Sequence, residues 1–238
     1  MERYFSFSYF IEAIPKIASA LPQTLLVVFF ALLAGLALGF IFAAMRIKGG
    51  PVISRIAAAY ISFMRGAPLI VIMFLVYFGV PQAMGGMGFD TSSYPRFPLV
   101  VAGFALNVSG YLAENMRSAF LAVDYGQFEA GDSIGMTRLQ ACIHIIFPQA
   151  LTIALPNLGN TLIMLIKDTS LAFSLGVTDL MGKTVLINAR NYSARQAELY
   201  IAVGLIYWLI CLICEKLISI VEKRGDKSRR RDAEVAVK

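Results

Sequence analysis

The chain has 238 residues and a mass of 26.0 kDa, with 58% hydrophobic residues, 15% charged residues and a mean hydropathy of +0.70. A soluble domain carries about 25% charged residues, so the composition excludes a disordered chain, a collagen and an ordinary soluble enzyme. The net charge is +6 and His144 is the single histidine, which excludes His-rich metal sites and His-based catalytic clusters.

A membrane-crossing helix needs roughly 20 mostly apolar residues. In chain order, Tyr4, Phe5, Phe7, Tyr9 and Phe10 form an aromatic belt before Pro15 and suit a short interfacial helix. The N-terminus lacks a basic flank, and the first apolar run is too long for a secretory signal. That run is uncharged from residue 17 to residue 45 and places span one at about 24–45. Span two is expected at about 56–80, interrupted by Arg65 and broken by Gly66 and Pro68. Residues 84–88 are Gly-rich and read as a loop. Span three covers about 97–120, with Glu114 and Arg117 near its end; span four covers about 150–176 and carries Lys167 and Asp168; span five covers about 199–221. The predicted fold class is an all-α membrane protein with five transmembrane helices and no internal repeat.

Five spans put the termini on opposite sides, and Lys and Arg favour the inner side. With the N-terminus outside, the inner side holds Arg46, Lys48, Arg55, Arg138, Lys216 and the basic tail. The outer side holds Arg3, Lys16, Arg96, Lys183, Arg190 and Arg195. The expected orientation is N-terminus outside, C-terminus inside. The tail, residues 223–238, is rich in charge and poor in apolar surface, so disorder is expected there. Its basic cluster reads as a contact to anionic lipid, not nucleic acid. Cys142, Cys211 and Cys214 lie in apolar stretches, so the C-x-x-C at 211–214 reads as packing.

The segment between spans three and four is patterned. Residues 128–134 have helix-compatible spacing, Glu129 stands near the first turn, and Gly135 can end the helix in left-handed geometry. Pro148 then starts the next membrane segment. The predicted object is a short helix across the inner face; the alternative is a solvated connector.

Charges inside spans cost about 2.5–3.5 kcal/mol each and are functional candidates by default, with structural ion pairs as the competing reading. Glu114 and Arg117 are three apart on one helix face, with Tyr111 a turn before. Asn157, Asn160 or Thr161, Met164 and Asp168 trace one face of span four. Lys167 points about 100° away from Asp168.

Glu129-Ala130-x4-Gly135 followed by Ile146-Phe147-Pro148 resembles the EAA loop of ABC-importer membrane subunits. Arg65-Gly66-Ala67-Pro68, Tyr111-Leu112-Ala113-Glu114 and Lys167-Asp168-Thr169-Ser170-Leu171 extend the likeness to the polar amino-acid permeases that serve histidine, glutamine, arginine and cystine. The resemblance covers roughly residues 15–222. It implies an importer transmembrane domain over 1–222 with its EAA loop at about 124–148. Gly131 stands where the family usually has Ala, and Ala67 where it usually has Thr.

The resemblance further implies a pore of two permeases, either two copies or this chain with a sister. A dimeric ATPase beneath the pore holds ATP and magnesium, and an extracytoplasmic binding protein delivers the solute. Residues Glu129, Ala130, Gly131 and Gly135 would form the coupling helix on the ATPase. This chain has no phosphate-binding loop, so it is expected to be no enzyme and to carry no cofactor. The implied substrate residues are Met64, Arg65, Gly66, Tyr111, Glu114, Asp168, Thr169 and Ser170. Asp168 and Glu114 would take the ammonium end, and Arg65 the carboxylate through a bidentate fork. The expected location is the bacterial cytoplasmic membrane, and the expected solute a polar amino acid, with a lean to L-cystine or a related sulfur amino acid. Basic amino acids or glutamine are the alternative solutes. A secondary transporter, a membrane enzyme and an assembly protein are the competing classes.

Overall fold

The structure is a computed structural model and describes residues 5–91 and 95–236, with side chains to residue 223. Arg3, Tyr4 and Lys238 lie outside the described residues. Helix α1 (Phe7–Ala18) opens on Ser6, whose hydroxyl oxygen accepts the Tyr9 N–H. Helix α2 (Leu21–Lys48) has Pro22 in its first turn, where the missing N–H costs nothing. Helix α3 (Pro51–Gly66) follows a tight connection in which the Arg46 guanidinium donates to the Ser54 hydroxyl at 3.1 Å.

Span two, expected as one interrupted segment over 56–80, is split. Ala67 and Pro68 are extended, because a residue before proline is forced out of the helical region. Helix α4 (Leu69–Phe74), a π-turn (Leu75–Gly79) and α5 (Val80–Gly86) then form a separate stretch of membrane-crossing length. Met84 to Gly86 are therefore helical, not loop; the chain turns at Gly88.

Helix α6 (Arg96–Leu121) is the central strut. Helices α7 (Gly126–Ser133) and α8 (Arg138–Ala141) follow, then a π-turn (Cys142–Ile146), α9 (Phe147–Asp168) and a 3-10 turn (Thr169–Leu175). Span four thus begins earlier than its expected start at 150, because helix continues through Pro148. The device is the same one seen before Pro81: a π-turn precedes the proline, so the ring avoids the carbonyl of the preceding turn. Helix α10 (Leu180–Arg190) was not foreseen. Asp179 caps it by accepting from the Gly182 N–H at 2.8 Å and ties it to the last helix through the Tyr207 hydroxyl at 2.9 Å. Burial pushes the Asp179 carboxyl above the usual carboxylate range, while these donors pull it back.

Helix α11 (Gln196–Ala236) carries helical backbone through the tail, where the composition predicted disorder. A helix already nucleated in the membrane pays no second nucleation cost, and Lys, Arg, Ala and Glu are good helix formers.

Among the described residues there is no strand, and five helical segments are long and apolar enough to cross a membrane: Leu21–Lys48, Leu69–Gly86, Arg96–Leu121, Arg138–Leu175 and Gln196–Lys223. The all-α fold and its five spans match the expectation. Exposed Phe29, Leu33, Trp208 and Leu209 form the apolar exterior such a protein presents to lipid. The three cysteines are free, and Cys211 and Cys214 pack against the core.

The main core lies where α2 crosses α6, built from Val27, Ala31, Phe104, Val108 and Leu112. Ala31, Gly35, Gly39 and Ala43 are all buried on one stripe of α2. Small residues at this spacing let two membrane helices approach closely. A Cβ on Gly39 would stand 2.9 Å from the Leu112 Cβ and 3.2 Å from the Ala113 backbone nitrogen. Gly39→Leu should therefore force α2 off α6 and destabilise the protein by about 1–3 kcal/mol. Thermal unfolding in detergent checks this; an unchanged Tm would contradict the packing.

Candidate functional site

The broken second span frees backbone groups that would be costly in hydrocarbon. Helix α6 supplies their partners. The Asn107 amide donates to the Met64 carbonyl at 2.8 Å, and the Tyr111 hydroxyl to the Arg65 carbonyl at 3.3 Å. The Arg65 guanidinium carbon lies 5.8 Å from the Tyr111 ring centroid, a cation–π distance. Met64 packs on α6 at Gly110, where a Cβ would come within 2.8 Å of the Met64 Cβ. Arg65 and Gly66 are exposed. The structure thus brings Met64, Arg65, Gly66 and Tyr111 together at one break.

One turn further along α6, Glu114 is held by Arg117 through two hydrogen bonds, at 3.0 and 2.5 Å. This is the ion pair that the three-residue spacing left open. Asn115 points the other way, into α9: its amide donates to the Thr161 hydroxyl at 2.9 Å and to the Asn157 carbonyl at 3.3 Å. Thr161 is accordingly buried against α6, and Asn160 is exposed.

Asp168 closes α9. It is half-buried and has no ion pair or side-chain hydrogen bond among the described residues; Lys167 beside it is exposed. Among the described residues no hydrogen bond or ion pair joins Asp168 to Arg65 or Glu114. Ser170 is half-buried. Thr169 is fully buried, and its hydroxyl donates to the Ile166 carbonyl at 2.7 Å. Its hydroxyl is thus engaged within its own helical turn.

Asn107 and Asn115 were missed. Asn107, Tyr111 and Glu114 follow at steps of four and three, a signal of one helix face present in the sequence.

At the far end of α6 lies α7. The Asp124 carboxylate accepts the Gly126 N–H at 2.7 Å and sets the first turn. Gly135 has φ +77°, and the Met136 N–H returns to the Gly131 carbonyl at 3.0 Å, the left-handed helix ending read from the sequence. Gly131 is buried against α8: a Cβ there would lie 3.0 Å from the Ala141 Cβ. Its loss of helix propensity thus accompanies a close approach. Glu129 and Ala130 are exposed, and the Glu129 side chain has no partner among the described residues. The Gln149 amide donates to Gln127 at 3.2 Å and ties α7 to the start of α9.

The chain is a helical bundle with five segments of membrane-crossing length, a broken second span and the short helix α7 after α6. Residues 35–227 match the family described as binding-protein-dependent transport system inner membrane component, and the chain belongs to that family. It is 40% identical to the L-cystine transport system permease protein TcyL of Bacillus subtilis (strain 168), over 97% of this chain and 96% of the relative. It is 32% identical to the glutamine transport system permease protein GlnP of Escherichia coli (strain K12), over 92% of this chain and 97% of the relative. The crystal structure of an amino acid ABC transporter with histidines superposes with a TM-score of 0.81 at 34% identity, covering 93% of this chain and 99% of that one. The resemblance to amino-acid permeases of ABC importers is thereby upheld.

Proposed function

We propose that this chain is the membrane permease subunit of an ATP-driven importer of a polar amino acid in a bacterial cytoplasmic membrane. The N-terminus faces outward, α7 and the C-terminus inward. A partner ATPase dimer holds ATP and magnesium, and α7 is its coupling helix. A second permease, this chain again or a sister, completes the pore, and an extracytoplasmic binding protein delivers the solute. The carrying observation is α6 itself. One stretch of it steadies the broken span and Arg65, and the chain leads from its end directly into a helix whose Glu129 and Ala130 are left exposed. A rigid strut between a solute site and a docking helix suits alternation driven by a partner.

In this reading Arg65 meets the solute carboxylate, with Met64, Gly66, Tyr111 and Ser170 around it. Asp168 takes the ammonium. Glu114 is already neutralised by Arg117 and serves to hold α6. L-cystine is the favoured solute, supported by the likeness to the cystine permease; glutamine and basic amino acids are the alternatives. Thermal stabilisation of the purified complex, screened across these solutes, tests the choice. Cystine should raise Tm in a saturable way, and Arg65→Ala should abolish the effect. A response to glutamine or arginine alone would reassign the solute.

A further inference from the structure

A cavity of about 530 Å³ lies at the α7 end of the bundle, apart from the Arg65 site. Its walls are the last turns of α2, the end of α6 and the continuous helix from α8 into α9. Phe40, Ile47, Phe120, Ile143 and Leu151 line it, and Lys48 is the one charged residue among its lining. Such a lining gives no hydrogen-bond partners to a polar solute or to ordered water. Every lining residue belongs to a helical stretch long and apolar enough to cross a membrane, and the cavity is a wedge between three of them.

The charge is placed at one end. Lys48 is the last residue of α2, is exposed, and has no ion pair among the described residues. Arg138 opens α8, next to the lining residue Leu139, and is likewise exposed without an ion pair. From Lys48 back to Phe40 the α2 axis rises about 12 Å. The wedge therefore has a cationic mouth and an apolar interior.

We propose that this wedge is a binding site for an anionic phospholipid, with an acyl chain in the cavity and the phosphate at Lys48. Cationic pockets between membrane helices take lipid headgroups on the cytoplasmic side, and the volume is that of an ordinary small-molecule pocket. The site has a functional consequence. One wall is the π-turn Cys142–Ile146, which carries the chain from the proposed coupling helix into α9. A chain lodged there fixes that wall against α2 and α6, so bound lipid sets how firmly motion of α7 is passed to the bundle. This consequence rests on the importer reading; lipid binding does not.

The test uses the assembled permease–ATPase complex in nanodiscs of phosphatidylcholine with increasing phosphatidylglycerol. Native mass spectrometry reads lipid retention, and a phosphatidylglycerol with a photoreactive acyl chain reads its place. The wild type should retain phosphatidylglycerol over phosphatidylcholine and label the 138–151 segment. Lys48→Gln, an exposed change, should lower that preference about fivefold. Ala44→Phe, which fills the wedge, should abolish the label. Solute-stimulated ATP hydrolysis should need more phosphatidylglycerol in Lys48→Gln. Equal retention in the wild type and both variants would overturn the proposal. So would a photo-crosslinker at Ile143 that captures the ATPase or a second permease in place of lipid. If ATP hydrolysis never responds to solute while lipid retention follows Lys48, the importer reading fails and the lipid site stands.

Discussion

Glu129→Lys should cut transport by about two orders of magnitude in a complex that inserts normally. Glu129 is exposed on α7 with no side-chain partner among the described residues, so the change disturbs nothing within the chain. In the proposed function its effect falls on an ATPase docked at α7, where truncating a central interface residue costs about 2–4 kcal/mol, or roughly 30- to 1000-fold. Gly135→Arg should act similarly by another route. No neighbour lies within 4 Å of a Cβ built there, so there is no clash. The penalty is backbone strain, because φ +77° is a region that L side chains rarely adopt. The helix end that Gly135 closes would rearrange and α7 would tilt. Uptake in vesicles and solute-stimulated ATP hydrolysis read both. Normal coupling in both variants would show that α7 is a solvated connector.

The two intramembrane acids should respond differently. Asp168→Asn should weaken solute binding about 10- to 100-fold, the loss of one hydrogen bond to a charged group at about 1.5–3 kcal/mol, and leave assembly intact. The free carboxylate at the end of α9 has no structural bond to lose. Glu114→Gln should do the reverse. It removes the acceptor of Arg117, whose side chain is 24% exposed, at a cost of about 1–3 kcal/mol, below that of a fully buried pair. The expected result is poor recovery of assembled complex, with near-normal affinity in what survives. Calorimetric titration and size-exclusion yield of both variants separate the roles. A stable Asp168→Asn complex with unchanged affinity would move the ammonium site elsewhere, a sister permease included.

Long apolar runs made the spans legible, since hydropathy counts residues against bilayer thickness. The ends of those spans were less so. Pro68 announced a break, but not that α3 would become a separate helix with α4 beginning a new stretch. Pro148 looked like a start, whereas a π-turn before it, as before Pro81, carries the helix through. The ending at Gly135 was readable because left-handed geometry selects glycine strongly. The stripe Ala31–Gly35–Gly39–Ala43 was present but hidden in an apolar run, where small residues are inconspicuous. Asn107 escaped notice because its partner, the Met64 carbonyl, is left free only where the helix ends before Pro68. Asp179 was equally silent: beyond its local cap to Gly182 it accepts from Tyr207, 28 residues away in sequence.

The central claim is that this chain imports solute only when coupled to a separate ATPase. Proteoliposomes holding the permease, its ATPase and the binding protein, loaded with ATP and magnesium and offered radiolabelled cystine outside, test it most directly. Uptake should require ATP, the binding protein and the ATPase together, persist when ion gradients are collapsed, and vanish in Glu129→Lys. Uptake by the permease alone, driven by a proton or sodium gradient and indifferent to ATP, would contradict it.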